Sequence, residues 1–269
     1  MYIKTPLPTP TILDIQSSKD ARNIALNKVG IKQLLHPAII EDTPLPLQHT
    51  LAKFSMFVGL SASVRGTHMS RFIEILNETE TTLGVSHTPI LLAQILSRLQ
   101  ADSAYYEAKF PFFISKSAPI SGAKSLMDYQ VTLSGKVETG KLINQITIIV
   151  PVTSLCPCSK QISDYGAHNQ RSEITVKAVT NGKISIHALI QLVESQASCD
   201  LFGILKRSDE KWVTERAYDN PKFVEDVVRD IAVQLEKLDS VLAYEIASEN
   251  FESIHNHSAY ALIRSGEII

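Results

Sequence analysis

One stretch of the chain concentrates reactive side chains: residues 151–172, PVTSLCPCSKQISDYGAHNQRS. It holds Cys156, Cys158, Lys160, His168 and Arg171, with almost no apolar content beyond Leu155. A polar loop that dense in thiols, imidazole and cations points to function rather than packing. The spacing limits the chemistry. Cys156 and Cys158 flank a single proline, which is not the C-x-x-C of a zinc ribbon, and no second pair exists. A structural zinc site with four cysteines is therefore excluded. An open catalytic site needs three protein ligands and a position for water. Cys156 or Cys158, with His168 and a carboxylate from elsewhere in the chain, would meet that count. Two other readings stand beside it. Free cysteines are commonly inert, partly buried thiols, and a redox pair is conceivable, although Cys-Pro-Cys is tight for an unstrained bridge. Cys199 lies alone at the end of a helical pattern and reads as structural.

A second segment, RGTHMSRF (65–72), joins a strand pattern to a helix pattern. Backbone N–H groups at a helix start, with Arg65 and Arg71 close in sequence, suit an anion such as phosphate. The alternative is an ordinary capped helix with solvated arginines. There is neither GxGxxG nor GxxxxGK[ST], so dinucleotide-fold and P-loop nucleotide binding lack support. In the last third, Asp209 and Glu210 fall in KRSDEKW, which reads as a charged loop. Glu225 borders an apolar helical stripe, and His255 and His257 occupy the polar turn SIHNHS. That turn has neither the helix nor the glutamate of HExxH, which excludes the zincin reading.

The elements that must carry these residues follow from periodicity. Residues 28–40 and 48–60 read as strands, and partial alternation at Leu51, Phe54, Met56 and Val58 supports the second. Thr67 is a candidate N-cap for a helix carrying Phe72, Ile73 and Leu76, and Thr88-Pro89 opens another with Leu91, Leu92, Ile95, Leu96 and Leu99. Strand character resumes over 104–115 and breaks at 116–124. Residues 129–138 and 142–152 read as a hairpin turning near Thr139-Gly140, followed by a polar loop to about Gln170. A strand over 172–179, a helix over 184–197, a helix opening at Asn220-Pro221, and strands over 241–248 and 260–263 complete the chain. Each half then reads roughly β-β-α-α-β-β. This predicts an α+β fold with antiparallel sheets, helices on one face, and four-stranded sheet edges that invite oligomerisation.

Composition bounds what such a chain does. Its 269 residues, 44% apolar, can bury a sizeable core as one large domain or two of about 130 residues. A net charge of -2 argues against a globally basic nucleic-acid binder. Three cysteines are too few for a disulfide scaffold, and no apolar run approaches the ~20 residues that span a bilayer. Neither nucleic acid nor membrane is expected as a partner. Pro6, Pro8 and Pro10 interrupt the N-terminus where a signal peptide is continuously apolar, so that end reads as an extended arm and the cytoplasm is the expected compartment.

Taken together, PVTSLCPCSK…YGAHNQRS and FSMFVGL…RGTHMSRF resemble the type IB GTP cyclohydrolases, over essentially the whole chain and including the spacing to Glu210, Glu225 and His255. Arg65 stands where lysine is expected and Gln161 where glutamate is frequent; neither removes a candidate ligand. The resemblance implies two tandem tunnelling folds (T-folds), each β-β-α-α-β-β: an arm over 1–24, one module over 25–122 and a second, carrying the reactive loop, over 123–269. It implies a homotetramer with active sites at subunit interfaces. It implies that GTP and water give formate and 7,8-dihydroneopterin triphosphate, toward folate and, in bacteria, deazapurine tRNA modification. By resemblance one divalent ion (Zn2+, Mn2+ or Fe2+) is held by Cys156, His168 and Glu210. His255 is the acid/base and Cys156 is also catalytic through the metal. Glu225 anchors guanine, while Lys160, Arg65, Arg71, Arg171 and His68 contact the substrate. The competing expectations are another T-fold enzyme acting on a purine or pterin, and a non-catalytic metal- or redox-sensing protein using Cys156 and Cys158.

Overall fold

Long stretches of alternating side chains make the strands. In AYYEAKFPFFISKS every second residue from Ala104 to Ile114 is buried, which commits the segment to a sheet with one covered face. The computed structural model describes residues 15–16, 18–78 and 81–269; most of the expected N-terminal arm lies outside them. In chain order the elements are β1 (Leu26–Ile40), β2 (Gln48–Leu60), α1 (Met69–Asn77), β3 (Thr82–Leu83), α2 (Thr88–Leu99), β4 (Ala104–Ser117), β5 (Lys124–Glu138) and β6 (Lys141–Leu155). Then come α3 (Pro157–Ile162), β7 (Asn169–Thr180), α4 (Ile186–Gln196), β8 (Cys199–Asp200), α5 (Arg207–Asp219), α6 (Val224–Leu235), β9 (Val241–Asn250) and β10 (Ala259–Ser265).

Among the described residues the strands form one ten-stranded sheet, in the order β10-β9-β7-β6-β5-β4-β2-β1-β3, with β8 pairing on β6. Every pairing is antiparallel except the short β1–β3 contact. Of the edges expected for two four-stranded sheets, the inner two are gone, because β5 pairs with both β4 and β6 and joins the halves, while β10 and the β1–β3 side remain edges. The turn between β5 and β6 is the two-residue Thr139-Gly140, with φ of 50° and 75°. Two left-handed residues in succession match the twist of a tight hairpin, and glycine takes the second without strain.

One face of the sheet carries the helices. Register partners Phe54 and Ala108, Leu133 and Ile146, and Ala178 and Tyr244 belong to one continuous core with Phe72, Leu92, Ile95, Leu189, Ile190, Val227, Ile231 and Leu235. Gly135 lets α2 lie close to β5, since a Cβ there would come within 2.5 Å of Thr88. The opposite face is largely open and exposes Leu51, Phe113, Leu126, Tyr260 and Leu262. At one end it is covered by Ile268 and Ile269, packed on Ile143, Val179 and Ala243.

Several boundaries differ from the sequence reading, each for a local reason. His68, not Thr67, occupies the N-cap of α1, and Thr67 is buried. Asn220 ends α5 instead of opening α6; its Nδ2 donates to the Ala197 carbonyl at 2.8 Å. The charged KRSDEKW segment is the start of helix α5, not a loop. Among the described residues no helix is long and apolar enough to cross a membrane.

Candidate active site

The ladder between β6 and β7 ends at the pair Leu155–Asn169. The next residues on the two strands are Cys156 and His168, twelve apart in sequence and facing each other at the mouth of the hairpin. Their backbones stay tied: Cys156 N–H donates to the His168 carbonyl at 3.1 Å, and His168 N–H donates to Ser159 Oγ at 3.2 Å. Pro157 then starts α3, with Cys156 as its N-cap and Cys156 Sγ accepting from Ser159 N–H at 3.5 Å. Proline suits that first helical position because it has no N–H to satisfy. The polar loop expected over 153–170 is thus the end of β6, a short helix and a turn, and this closure holds the thiol and the imidazole together.

Two further segments reach the same place. The β7–β9 ladder pairs Ser172 with Asn250, so Glu252 continues β9 opposite Gln170 of β7. Lys222 N–H donates to the Leu155 carbonyl at 3.1 Å, which brings the start of α6 to the end of β6. Phe223 N–H then donates to Asp226 Oδ2 at 3.0 Å and opens the helix, with Glu225 in its first turn. The outcome is a cleft of about 310 Å³ lined by Cys156, His168, Glu225, Glu252, His255 and His257, together with Gln170, Lys222 and Asn250. The His255 and His257 rings are stacked, 5.1 Å apart and 11° from parallel. His168 Nδ1 lies 2.8 Å from Gln170 Oε1 and 3.9 Å from Glu252 Oε2.

Four of the expected site residues therefore share one cleft: Cys156, His168, Glu225 and His255. The others lie elsewhere. Glu210 is exposed in the first turn of α5 and does not line the cleft. Its neighbour Asp209 is fully buried and accepts from Ile120 N–H, Ser121 N–H and Ser121 Oγ. Lys160 donates to the Tyr218 carbonyl and lies 4.2 Å over the Tyr218 ring. Arg171 is exposed on β7 and does not line the cleft. His68 and Arg71 line a separate cleft of about 270 Å³ between the end of β2 and the turn after α2, with Arg71 Nη1 donating to the Arg98 carbonyl at 3.1 Å. Arg65 is exposed beside it, its backbone N–H tied to the Ser18 carbonyl. The ladder places that second cleft at the far end of the strands: Leu60 adjoins the Ala104 end of β4, which pairs at Val137 and so at Leu142 of β6. From Leu142 to Leu155 is about 40 Å of strand.

Cys199 is buried in a cluster with Leu155 and Ala217, where burial and the charge of Asp200 push its thiol up to about 11. That environment makes it a packing residue. Cys158 is exposed on α3. Sequence reasoning missed Glu252 and Gln170. The only signal for either was the strand register, which periodicity does not supply.

For a divalent metal, the donor types fit. Cys156 supplies sulfur, and His168 has one ring nitrogen engaged by Gln170, as ligating histidines commonly do. Glu252 gives the cleft a carboxylate beside His168. Among the described residues no three His, Cys, Asp or Glu side chains are grouped so as to hold a metal ion.

Solved structures place this architecture in a known class. A uricase from Bacillus fastidious aligns with a TM-score of 0.53 at 10% identity, over 89% of this chain and 93% of its own. A hyper-thermostable AgUricase mutant aligns at 0.52 and 7%, over 89% and 91%. At such low identity they establish the fold alone, the uricase-like T-fold. Sequence goes further. The family model described as Type I GTP cyclohydrolase folE2 matches residues 12–261. GTP cyclohydrolase FolE2 2 of Dechloromonas aromatica is 56% identical over 258 residues, 96% of each chain. GTP cyclohydrolase FolE2 of Thiobacillus denitrificans is 57% identical over 250 residues, 93% of each. The chain belongs to the FolE2, or type IB, family of GTP cyclohydrolases.

Proposed function

We propose that this chain converts GTP and water to formate and 7,8-dihydroneopterin triphosphate, the first step of folate biosynthesis, in the cleft at the mouth of the β6–β7 hairpin. The observation that carries the reading is that Cys156, His168, Glu225 and His255, held on three separate segments, meet in one cleft. Family membership supplies the substrate.

Each residue has a task that its chemistry permits. The Glu225 carboxylate accepts two parallel hydrogen bonds, from guanine N1–H and the 2-amino group, a pair that adenine cannot offer. His255 moves protons during ring opening and closure. A divalent ion, when bound, lowers the pKa of a water and orients it. Cys156 and His168 would hold that ion from the cleft wall, with Glu210 as third donor. Ala167, beside His168, packs on the same Leu155, Cys199 and Ala217 cluster as Trp212 and Val213 of α5, so the helix that carries Glu210 adjoins this loop. Glu252 is the carboxylate already in the cleft.

The triphosphate needs cations that the cleft lacks, since its Lys222 is engaged by Asp230. Lys160 and Arg171 lie on its flanking elements; Arg65, His68 and Arg71 lie at the far end of the strands. We therefore read the complete site as shared between copies in a homotetramer, with the open apolar sheet face as a contact surface. Two tandem T-fold modules are supported by the order of major elements: β1-β2-α1-α2-β4-β5, then β6-β7-α4-α6-β9-β10. On that symmetry we propose a divide at Thr139-Gly140, where the sequence reading expects one near Gly122.

The test is chelation followed by add-back of Zn2+, Mn2+ or Fe2+, reading pterin fluorescence after oxidation. Activity lost and then restored is expected. Undiminished turnover after chelation would remove the metal from the account, and absence of any pterin from GTP would overturn the reading.

A further inference from the structure

Gln170, the second residue of β7, is only 8% exposed and lies between His168 and Glu252. Its two polar ends differ in kind: Oε1 only accepts and Nε2 only donates. Nε2 lies 3.5 Å from Glu252 Oε1, and Oε1 lies 2.8 Å from His168 Nδ1. The orientation is fixed by the partners. A carboxylate only accepts, so a carbonyl turned toward Glu252 would set two acceptors against each other. The amide NH2 therefore faces Glu252 and the carbonyl oxygen faces the histidine. An oxygen that can only accept requires a proton on Nδ1. Glu252 Oε2, 3.9 Å from the same Nδ1, adds a negative charge that favours the proton there.

We infer that Gln170 is a positioning residue that locks His168 as the Nδ1–H tautomer, leaving the ring's lone pair on Nε2. The use of that lone pair as a metal donor rests on the reading of the site given above; the tautomer itself does not. The device follows from register. Continued past Ser172–Asn250, the β7–β9 register sets Gln170 opposite Glu252, and His168, just before β7, lies two residues back, so the imidazole, the amide and the carboxylate fall in one row. Removing the hydrogen-bond partner of a ligating histidine typically changes metal affinity by about 10- to 100-fold.

Long-range 1H–15N NMR on the metal-free protein, at a pH where the ring is neutral, reads the tautomer directly, and chelator competition reads Zn2+ affinity. The wild-type protein should show His168 protonated at Nδ1. Gln170→Leu should lose that preference and bind Zn2+ about 10- to 100-fold more weakly. Gln170→Glu keeps an acceptor toward Nδ1 and should keep the wild-type tautomer. An Nε2–H signal in the wild-type protein overturns the inference without need of any variant, and so does a folded Gln170→Leu protein with the wild-type pattern. The two readings separate cleanly. Tight Zn2+ binding with an Nε2–H ring sinks the lock and keeps the metal; an Nδ1–H ring in a protein that binds no Zn2+ sinks the metal and keeps the lock.

Discussion

In the proposed site Glu225 recognises guanine and His255 transfers protons, and substitution separates the two roles. Glu225→Gln replaces one acceptor oxygen by a donor aimed at the guanine edge. Charge-assisted hydrogen bonds contribute about 1.5–3 kcal/mol each, so KM for GTP should rise by about 10- to 100-fold in steady-state assays; an unchanged KM would remove the anchor. His255→Ala should bind metal normally and lose about 10²- to 10⁴-fold in kcat. Metal lost along with turnover would make His255 a ligand. At this scale the sequence was informative where residue types are rare and crowded, as in 151–172. It was silent where a common residue gains meaning only by position. Glu252 is one acid in a polar run, and Gln170 is one amide at a loop end. The register that sets them beside His168 depends on β9 lying next to β7, which no local pattern encodes.

Among the longer elements, α5 is the helix that periodicity overlooked, and two carboxylate networks explain how it and its surroundings hold. RSDEKWVTERAYD offers little apolar stripe beyond Trp212, Val213 and Ala217, so the helix depends on Asp209. Asp209 accepts from Lys206 N–H at 2.7 Å at the start of α5, and from Ser121 and Ile120 of the loop after β4. Burial alone would raise this carboxyl, but those hydrogen bonds outweigh it and hold it below the usual carboxylate range. A lowered carboxyl contributes stability above its unfolded pKa of about 3.9, and loses it as pH falls through the folded value. Asp209→Asn should therefore melt lower than wild type at neutral pH, with the gap closing as the solution is made strongly acidic. A gap that does not depend on pH would contradict the assignment. On the helix face, Lys116 of β4 is nearly buried and pairs with Glu194 of α4 and Asp200 of β8. Tyr129 donates to the same Glu194 at 2.6 Å. Lys116→Ala leaves two carboxylates without their cation and should cost about 3 kcal/mol in denaturant unfolding; a loss below 1 kcal/mol would place the network among weak surface pairs. The strands were legible because alternation is strong in 104–117 and 129–152. Their merger into one sheet was not, because the same alternation suits two sheets or one.

At the scale of the whole molecule, the open face of the sheet and the separation of the two clefts point the same way. Cys156 and Arg71 lie at opposite ends of the strands, so one copy cannot apply both to one GTP. Cys156→Ala and Arg71→Ala should each be inactive alone. Mixed, unfolded and refolded together, they should regain activity, because some shared sites in the hybrids draw both intact halves from different chains. No recovery in hybrids confirmed by light scattering would show that each chain's site is self-sufficient or that Arg71 has no part in it. Assembly of this kind is an expectation of the resemblance and of the sheet edges, not of composition. The net charge of -2 only excluded a globally basic surface and left room for a few local cations to meet a triphosphate.

In the proposed reaction the cleft beside Cys156 and His168 opens the guanine ring at C8. GTP carrying 13C at C8, incubated with the metal-loaded protein and followed by NMR, tests it most directly. One labelled formate should appear for each dihydroneopterin triphosphate formed, and Cys156→Ala should release none. Labelled carbon that stays in the purine, or release undiminished in Cys156→Ala, would contradict the account.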